Sequence, residues 1–579
     1  MNATTAVADF RKSAVTYLLL SMVSVLLLTS AAAGGSADAA EPPLDLGDQH
    51  ASTPGAPNYA NAAVTLPDGT LESFYRRAAD GHVSIFVMRS TDSGRSWTTP
   101  AVLVHLSIDS WGGPMPLLDR DGELHFVIPR VRGDGRRPGV DRFIDLYHLR
   151  SFDGRTRFSE PKRIYEGYCG ALQGVFQLSS GRIVAPFADW LPGVPTKPPT
   201  GPSVTTCVYS DDAGQTWHRS PAALTAPCHD GYNGGNYGAC EPTIIELQDG
   251  RVWMLIRTQD GFLYESFSPD GVHWSDARRS RFYSSNSPAF PVRLPDGRLV
   301  VFWNNCQMPP RVGNDGVYGG RDALHAAISS DEGQTWRGFR EVYRDATRNG
   351  SPPKDGDRGT AYPHATVTSD GKILLVSGQG TNRRRRFLID PDWLLETSQT
   401  EDFQTLDAWH VFTGFGPAQR WWRDRFQGPQ LISHPSDPDR QVLHIRRSDE
   451  RAADGAVWNF PAGRAGELVL RLRIGAGFGG ARISLTDRMF EPCDDQADEL
   501  AAVSLLLEDG GALAPDRWHD LRLTWKDDLC DVAVDGQPLT KLRFRHPAPD
   551  GLSYLRLRST AGRPDPIGFL VESVRVTIR

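Results

Sequence analysis

One short stretch of the chain carries a carboxylate at one end and a guanidinium at the other: Glu241-Pro-Thr-Ile-Ile-Glu-Leu-Gln-Asp-Gly-Arg-Val-Trp-Met-Leu-Ile-Arg257. Two apolar runs, residues 243–247 and 252–256, flank an Asp-Gly turn and predict a β-hairpin. Because the ends of a hairpin meet, we expect Glu241 and Arg257 to lie together at one rim of a sheet. Such a pair is a candidate for catalytic or binding chemistry, and a surface ion pair is the alternative.

The turn in this stretch belongs to a series that recurs before residue 400. Six segments place a glycine before a strand-like apolar run, at residues 66–71, 119–124, 178–183, 247–252, 294–299 and 368–373. Units of roughly 40–50 residues are typical of propeller blades, and longer separations place the excess in loops. Six such turns predict six blades, each of four strands.

A second repeat has the form Ser-x-Asp-x-Gly-x-x-Trp. It occurs at residues 90–97, 210–217 and 329–336, in a shortened form at 268–274, and without the Trp at 151–154. The pattern predicts a β-turn in which Asp caps backbone N–H groups, Gly is left-handed and Trp packs beneath the turn. This motif is the Asp-box, or BNR repeat, and residues 55–395 resemble the sialidase superfamily of six-bladed β-propellers.

The resemblance implies an active site at the propeller axis. In this superfamily three arginines hold the substrate carboxylate, a tyrosine activated by a glutamate is the nucleophile, and an aspartate is the acid/base. A neutral phenol suits an anionic substrate because a carboxylate nucleophile would be repelled. The matching residues here are Tyr362, Glu241 and Asp80 as catalytic groups and Arg257 and Arg321 as substrate-binding groups.

These residues follow the order of the predicted blades. Arg321 begins the strand that leads to the last Asp-box, Tyr362 precedes the last hairpin turn, and Asp80 lies before the strand of the first Asp-box. Singly, they could be a surface arginine, a core aromatic and a simple turn. Their common register with the repeats favours one site.

The sequence departs from the superfamily pattern at its first arginine. Ala60 stands at that position, and Arg76 or Arg77 on the following strand is an alternative source of a third guanidinium. We therefore expect ordinary sialosides to be poor substrates. His364, close to Tyr362, is a candidate second proton-transfer group, with a packing histidine as the alternative.

The chain divides by composition into four parts. Residues 1–40 have the features of a secretory signal, with Arg11 and Lys12 before an apolar run and small residues at 37–39. Residues 41–58 are predicted to be a linker, 59–395 the propeller and 400–579 a β-sandwich. The signal predicts a secreted or periplasmic protein with no membrane span after its removal.

The pattern beyond residue 400 alternates apolar and polar residues without Asp-boxes. Strands are predicted at 442–445, 467–474, 481–485, 502–507, 520–525, 531–534, 554–558 and 569–578. The pattern resembles the concanavalin-like and laminin-G-like jelly rolls appended to secreted carbohydrate enzymes. Trp421, Trp422 and Trp458 could stack on sugars, and core packing is the preferred interpretation.

Composition limits the partners and cofactors. The net charge of −7 argues against a nucleic-acid partner. The spacing of the cysteines fits no metal site, so we expect no metal and no cofactor. Disulfides are possible after export, with Cys493 and Cys530 as one candidate pair among Cys169, Cys207, Cys228, Cys240, Cys306, Cys493 and Cys530.

Three functions fit these features. The first is a secreted exo-glycosidase that acts on a terminal acidic sugar of a glycan, either sialic acid or a related uronic sugar. The second is a polysaccharide lyase, in which Tyr362 and His364 would serve to take the proton next to a uronate carboxylate and the two arginines would stabilise the resulting anion. The third is a glycan-binding protein with a degenerate site.

Overall fold

The computed structural model describes most of the chain from residue 40 onward. The described residues are 40–47, 63–79, 82–106, 110–191, 203–228, 238–306, 320–350, 359–379, 383–413, 428–448, 450, 453–490 and 497–579. Several predicted features lie outside them, namely residues 1–39 of the signal, Ala60, Asp80, Trp421, Trp422 and Cys493. No helix within the described ranges is long and apolar enough to cross a membrane.

The first half of the described chain consists of antiparallel strands in six sheets. The strands of the first three sheets, after β1 (Leu44–Gly47), are β2 (Ala63–Thr65), β3 (Leu71–Ala79), β4 (His82–Ser90) and β5 (Ala101–Leu106) in sheet I; β6 (Met115–Leu118), β7 (Leu124–Arg132), β8 (Phe143–Phe152), β9 (Arg157–Phe158) and β10 (Lys162–Tyr165) in sheet II; and β11 (Cys169–Leu172), β12 (Phe176–Gln177), β13 (Ile183–Trp190), β14 (Ser203–Ser210) and β15 (His218–Arg219) in sheet III. Those of the next three are β16 (Cys240–Glu246), β17 (Val252–Arg257), β18 (Phe262–Ser268) and β19 (Arg278–Tyr283) in sheet IV; β20 (Phe290–Arg293), β21 (Leu299–Trp303), β22 (Ala323–Ser329) and β23 (Arg337–Arg344) in sheet V; and β24 (His364–Val367), β25 (Ile373–Ser377) and β26 (Arg385–Ile389) in sheet VI.

The six predicted turns each separate the first strands of one sheet. Their glycines adopt φ values between 79° and 94°, the left-handed region that favours glycine. Most neighbouring sheets meet through their leading strands: β2 contacts β6 and β24, β16 contacts β11 and β20, and β20 also contacts β24. Sheets II and III meet through β8 and β11. We interpret this closed cycle of contacts as a six-bladed β-propeller.

Sheet VI is completed by a strand from the beginning of the described chain. β1 pairs antiparallel with β26, and Asp45 accepts hydrogen bonds from Arg385. Here the structure differs from the prediction, which placed residues 44–47 in a linker. A four-residue strand between Pro43 and the following segment is too short to show a strand period in sequence.

The Asp-boxes form the predicted turns. In all three full copies the Ser hydroxyl accepts from the Gly N–H at 2.8–2.9 Å. The Asp carboxylate accepts from the N–H of the residue before the Trp at 2.8 Å. The indole N–H then donates to the Gly carbonyl at 2.8–3.1 Å. The motif is therefore a hydrogen-bonded structural unit, as predicted.

Each Asp-box tryptophan also packs on the sheet that precedes its own. The pairs are Trp97 with Arg386, Trp217 with His148, and Trp336 with Trp253, and Trp274 packs against an apolar cluster that includes Leu178. The Arg386 guanidinium lies 4.6 Å from the centroid of the Trp97 ring, within the range of a cation–π contact. Arg386, the last of four consecutive arginines at residues 383–386, thus contributes to the contact between sheets VI and I.

The remaining strands form two larger sheets that face each other. After a short 3-10 helix, Pro391–Leu395, they are β27 (Ser398–Glu401), β28 (Trp409–Thr413), β29 (Gln430–His434), β30 (Asp437–Arg447), β31 (Asp454–Gly463), β32 (Gly466–Ile474), β33 (Ala481–Thr486), β34 (Val503–Leu507), β35 (Trp518–Lys526), β36 (Leu529–Val534), β37 (Gln537–Arg543), β38 (Leu552–Ser559) and β39 (Asp565–Ile578). Sheet VII has the order β29-β30-β39-β32-β35-β36-β37, with β27 beside β39, and sheet VIII the order β28-β31-β38-β33-β34. Trp458 is fully buried between them, as its core interpretation predicts.

The two groups of sheets share a buried polar interface within the compact unit Ala40–Arg579. Glu341, on β23, has a fully buried side chain. Its Oε1 accepts from His410 Nε2 at 2.9 Å and from the Tyr554 hydroxyl at 2.7 Å, both on sheet VIII. Its Oε2 accepts from Arg344 Nε at 2.5 Å. Burial alone would raise the pKa of Glu341, but His410 and Arg344 hold that pKa well below its ordinary value, so the carboxylate is ionised.

Replacement of Glu341 by alanine should therefore be strongly destabilising. It leaves His410, Tyr554 and Arg344 without their shared acceptor, and breaking a buried ion pair costs about 3–5 kcal/mol. Urea unfolding of Glu341→Ala, followed by tryptophan fluorescence, measures the loss of unfolding free energy. The matched control is Glu467→Ala, which removes a partly exposed partner of Arg522 and should cost less than about 1 kcal/mol. Equal losses for the two variants would contradict the interface assignment.

Candidate active site

The hairpin that carries Glu241 and Arg257 forms as predicted, with one irregularity. β16 and β17 pair antiparallel, Cys240 opposes Arg257, and the register shifts between Cys240 and Thr243. Glu241 lies in this bulge with a φ of 46°, and its side chain is buried. The bulge redirects Glu241 relative to the regular pleat, as bulges at sheet edges commonly do.

Glu241, Arg257 and Tyr362 form a hydrogen-bonded triangle. Arg257 Nη1 donates to Glu241 Oε2 and also to the Tyr362 hydroxyl oxygen, the latter at 3.1 Å. The Tyr362 hydroxyl in turn donates to Glu241 Oε1 at 3.2 Å. Side chains from sheet IV and from the segment before sheet VI are thus in contact, as their positions relative to the repeats predict.

Arg321 reaches the same place from sheet V. Its guanidinium lies 5.6 Å from the centroid of the Tyr362 ring. Arg321 Nη2 donates to the backbone carbonyl of Asn286, and Nη1 donates to Gln379 Oε1 at 3.0 Å. Arg257 Nε donates to Asn286 Oδ1 at 2.6 Å. Four of the five predicted site residues are therefore brought together, while Asp80 lies outside the described residues.

Asn286 and Gln379 are site residues that sequence reasoning missed. Asn286 lies between β19 and β20 in the run Ser284-Ser-Asn-Ser287, and Gln379 follows β25. Neither position belongs to a repeat motif or to a charged pair. Their partners, Arg257 and Arg321, are distant in sequence, so no local pattern could have indicated them.

The alternative sources of chemistry lie apart from the triangle. Arg76 and Arg77, on β3, make no hydrogen bond or ion pair to Glu241, Arg257, Arg321 or Tyr362 within the described residues. His364 lines a cavity of about 60 Å³ together with residues that include Phe176 and Phe290, and its ring centroid is 5.2 Å from that of Phe290. Burial and Arg384 lower the pKa of His364 to about 3, which favours the neutral imidazole. The packing interpretation of this histidine therefore fits its surroundings.

Comparison with protein families decides the classification. Residues 51–375 match the family model described as a BNR repeat-like domain. The chain belongs to this family. The BNR repeat is the Asp-box of the sequence analysis, and the assignment places the chain in the sialidase superfamily, as predicted.

Individual relatives are more distant. A sialidase of Micromonospora viridifaciens is 27% identical over 372 residues, which cover 57% of this chain and 51% of that protein. The chain thus spans about half the length of this curated relative. Trypanosoma rangeli sialidase in complex with sialic acid aligns over 89% of this chain and 90% of its own, with 14% identity and a TM-score of 0.38. A Dyadobacter fermentans protein of unknown function aligns over 57% and 93%, with 18% identity and a TM-score of 0.41.

Two residues of the candidate active site, Tyr362 and Glu241, have an unusual backbone conformation. Tyr362 has a φ of 65° and Glu241 a φ of 46°, both in the left-handed region that non-glycine residues seldom adopt. Such conformations cost about 1–3 kcal/mol each and persist where surrounding structure imposes them. The two residues joined by the hydrogen bond from the Tyr362 hydroxyl to Glu241 Oε1 therefore keep these conformations because the surrounding fold imposes them, not because their residue types prefer them.

The electrostatics keep the phenol protonated. Burial and the Glu241 carboxylate raise the pKa of Tyr362 to about 12, although Arg257 and Arg321 act in the opposite direction. At neutral pH the hydroxyl is a neutral donor and Glu241 Oε1 is its acceptor. The arrangement can therefore lose a proton from phenol to carboxylate only when something else, such as an incoming electrophile, makes the oxygen more acidic.

Ultraviolet titration checks this protonation state. Because a raised pKa favours the neutral form, Tyr362 should contribute no phenolate absorbance up to about pH 11, beyond the ordinary tyrosine pKa of about 10. The measurement is the difference in phenolate absorbance between wild type and Tyr362→Phe at each pH. Tyr147→Phe is the control, since this half-buried hydroxyl lies on sheet II, away from the site. A phenolate signal from Tyr362 near neutral pH would contradict the assigned environment.

Proposed function

We propose that this protein is a retaining exo-glycosidase that releases a terminal acidic sugar from a glycan. The observation that carries the proposal is the hydrogen bond from the Tyr362 hydroxyl to Glu241 Oε1, with Arg257 bound to both. A neutral phenol beside a carboxylate base is an activated nucleophile without negative charge of its own. Two guanidiniums around it suit an anionic sugar, because their planar forks match a carboxylate.

The reaction proceeds in two displacements. In the first, the Tyr362 oxygen attacks the anomeric carbon while its proton passes to Glu241, and the bond to the leaving oxygen breaks. Asp80 supplies the proton that the leaving oxygen takes up; its role rests on its sequence position alone. In the second, water gives a proton to Asp80 and attacks the anomeric carbon, and the Tyr362 oxygen leaves and recovers its proton from Glu241.

Charge selects the substrate. Arg257, Arg321 and Glu241 together leave one unit of positive charge beside a neutral phenol, and all three side chains are buried. A buried excess of positive charge favours an anion far more than a neutral sugar, since solvent screening is weak there. The acidic sugar is therefore held by Arg257 and Arg321. The apolar run and small residues of positions 1–40 support secretion or export to a periplasm as the place of action.

Loss of the tyrosine hydroxyl should abolish turnover. Tyr362→Phe removes the nucleophile but retains the ring beneath Arg321, so we expect kcat to fall by about three orders of magnitude or more. Thermal unfolding should change little, and Tyr147→Phe should keep wild-type activity. The assay is release of reducing sugar or nitrophenol from glycosides of sialic acid and of uronic acids. Near-normal turnover by Tyr362→Phe would remove Tyr362 from the mechanism.

Uronides should be better substrates than simple sialosides. With Ala60 at the superfamily's first arginine, the chain lacks one charge-assisted pair, worth roughly 1.5–3 kcal/mol per hydrogen bond. That is about one to two decades of affinity. Steady-state kcat/KM values on p-nitrophenyl glucuronides, in both anomeric forms, and on a matched α-sialoside test the order. Faster release of sialic acid would overturn it, and an unsaturated uronate product would indicate a lyase instead.

A further inference from the structure

Asn286 connects the two arginines of the site. Its side-chain Oδ1 accepts from Arg257 Nε at 2.6 Å, and its backbone carbonyl accepts from Arg321 Nη2. The two guanidiniums come from different sheets, β17 of sheet IV and the segment before β22 of sheet V. One residue with 4% of its surface exposed thus tethers both cations and sets their separation.

The orientation of the Asn286 amide follows from its partner. A guanidinium can only donate hydrogen bonds, so the amide oxygen must face Arg257 and the amide nitrogen must point away from it. Nδ2 is buried and has no hydrogen-bond partner among the described residues. A buried donor without an acceptor is costly, and such groups in native structures call for an explanation.

We propose that Asn286 is a specificity-determining residue whose Nδ2 donates to an oxygen of the bound acidic sugar. The inference rests on the proposed function and adds to it a third donor beside Arg257 and Arg321. The residue acts in two ways: its oxygens fix the spacing of the guanidiniums, and its amide nitrogen contributes a neutral donor. An acidic sugar that offers an oxygen to Nδ2 satisfies the unpaired donor; a sugar without one leaves it unpaired.

Two substitutions separate these roles. Asn286→Ala removes both the acceptor for Arg257 and the donor. Asn286→Asp retains an acceptor for Arg257 at nearly unchanged shape, removes the donor and adds a negative charge. Because that charge by itself weakens the binding of an acidic sugar, a rise in the KM of this variant counts for the donor role only together with the ligand contact in the complex. Neither changes the backbone carbonyl that binds Arg321. Gln537→Glu is the matched control, because it makes the same change from amide to carboxylate at an exposed position on β37 of the sandwich.

The experiment measures kcat and KM on the p-nitrophenyl glucuronide that wild type hydrolyses, together with D-glucuronate binding by calorimetry. We expect KM and the dissociation constant to rise about ten- to hundredfold in both Asn286 variants. The kcat should stay within about threefold of wild type, since the Tyr362–Glu241 pair is untouched. Gln537→Glu should match wild type. Recovery of wild-type KM by Asn286→Asp would overturn the donor role, because the acceptor alone would then suffice.

A crystal structure of the wild-type protein with D-glucuronate provides the second arm. It should place a ligand oxygen at about 2.7–3.2 Å from Nδ2, and a ligand bound without that contact would overturn the proposal. Binding through Nδ2 without turnover of any glycoside would overturn the glycosidase function and support the Asn286 assignment. The absence of both turnover and binding would overturn both. If Asn286→Ala fails to fold, the isosteric Asn286→Asp and the complex decide the matter.

Discussion

The packing of each Asp-box tryptophan on the preceding sheet is the constraint on which the arrangement depends. Among the described residues adjacent sheets share no strand ladder, so their relative positions depend largely on side-chain contacts. The indole N–H is held by the Gly carbonyl of its own turn, and the ring face packs on the neighbouring sheet, as with Trp336 on Trp253. Because the rigid indole is held by its own turn, its contact with the next sheet fixes the position of that sheet relative to the turn. Glu241 on β16, Arg321 in the segment before β22 and Tyr362 in the segment before β24 are therefore held close together.

The site contains two buried arginines, and the surrounding acceptors compensate the loss of their hydration. Two arginines that are almost fully buried would each pay a large desolvation cost without acceptors. Glu241, the Asn286 oxygens and Gln379 supply those acceptors in the described part of the site. Among the described residues of the site one carboxylate faces two guanidiniums, so this part of the cluster is positive, and burial together with that carboxylate raises the pKa of Tyr362. Anion binding and a protonated nucleophile are thus two consequences of one arrangement of charge.

The features that could be predicted from the sequence are those determined by residues close together in the chain. The turn glycines, the Asp-boxes and the alternating strands of sheets VII and VIII each depend on residues close in sequence, and the structure contains them. β31 was not predicted because it is buried on both faces and so lacks alternation: one side packs in the sandwich core and the other on β23. Glu341 and Asn286 were missed for a related reason, since their partners are distant in sequence. The acid/base role of Asp80 and the assignment of Ala60 to the place of the first arginine remain predictions from sequence position alone.

The contact between sheet V and the sandwich has a consequence for the site. Asn305, next to β21, donates its backbone N–H to His325 Nδ1 at 3.1 Å, so the proton of His325 is on Nε2, which donates to Tyr554 of the sandwich. The neighbouring Asn304 donates to the Thr360 hydroxyl at 2.9 Å, and that hydroxyl donates to the backbone carbonyl of Arg321 at 2.7 Å. Thr360 is two residues before Tyr362. Because buried hydrogen bonds of this kind resist displacement, the sandwich braces the sheet that supplies Arg321 and, through Thr360, the segment that holds Tyr362 in its left-handed conformation.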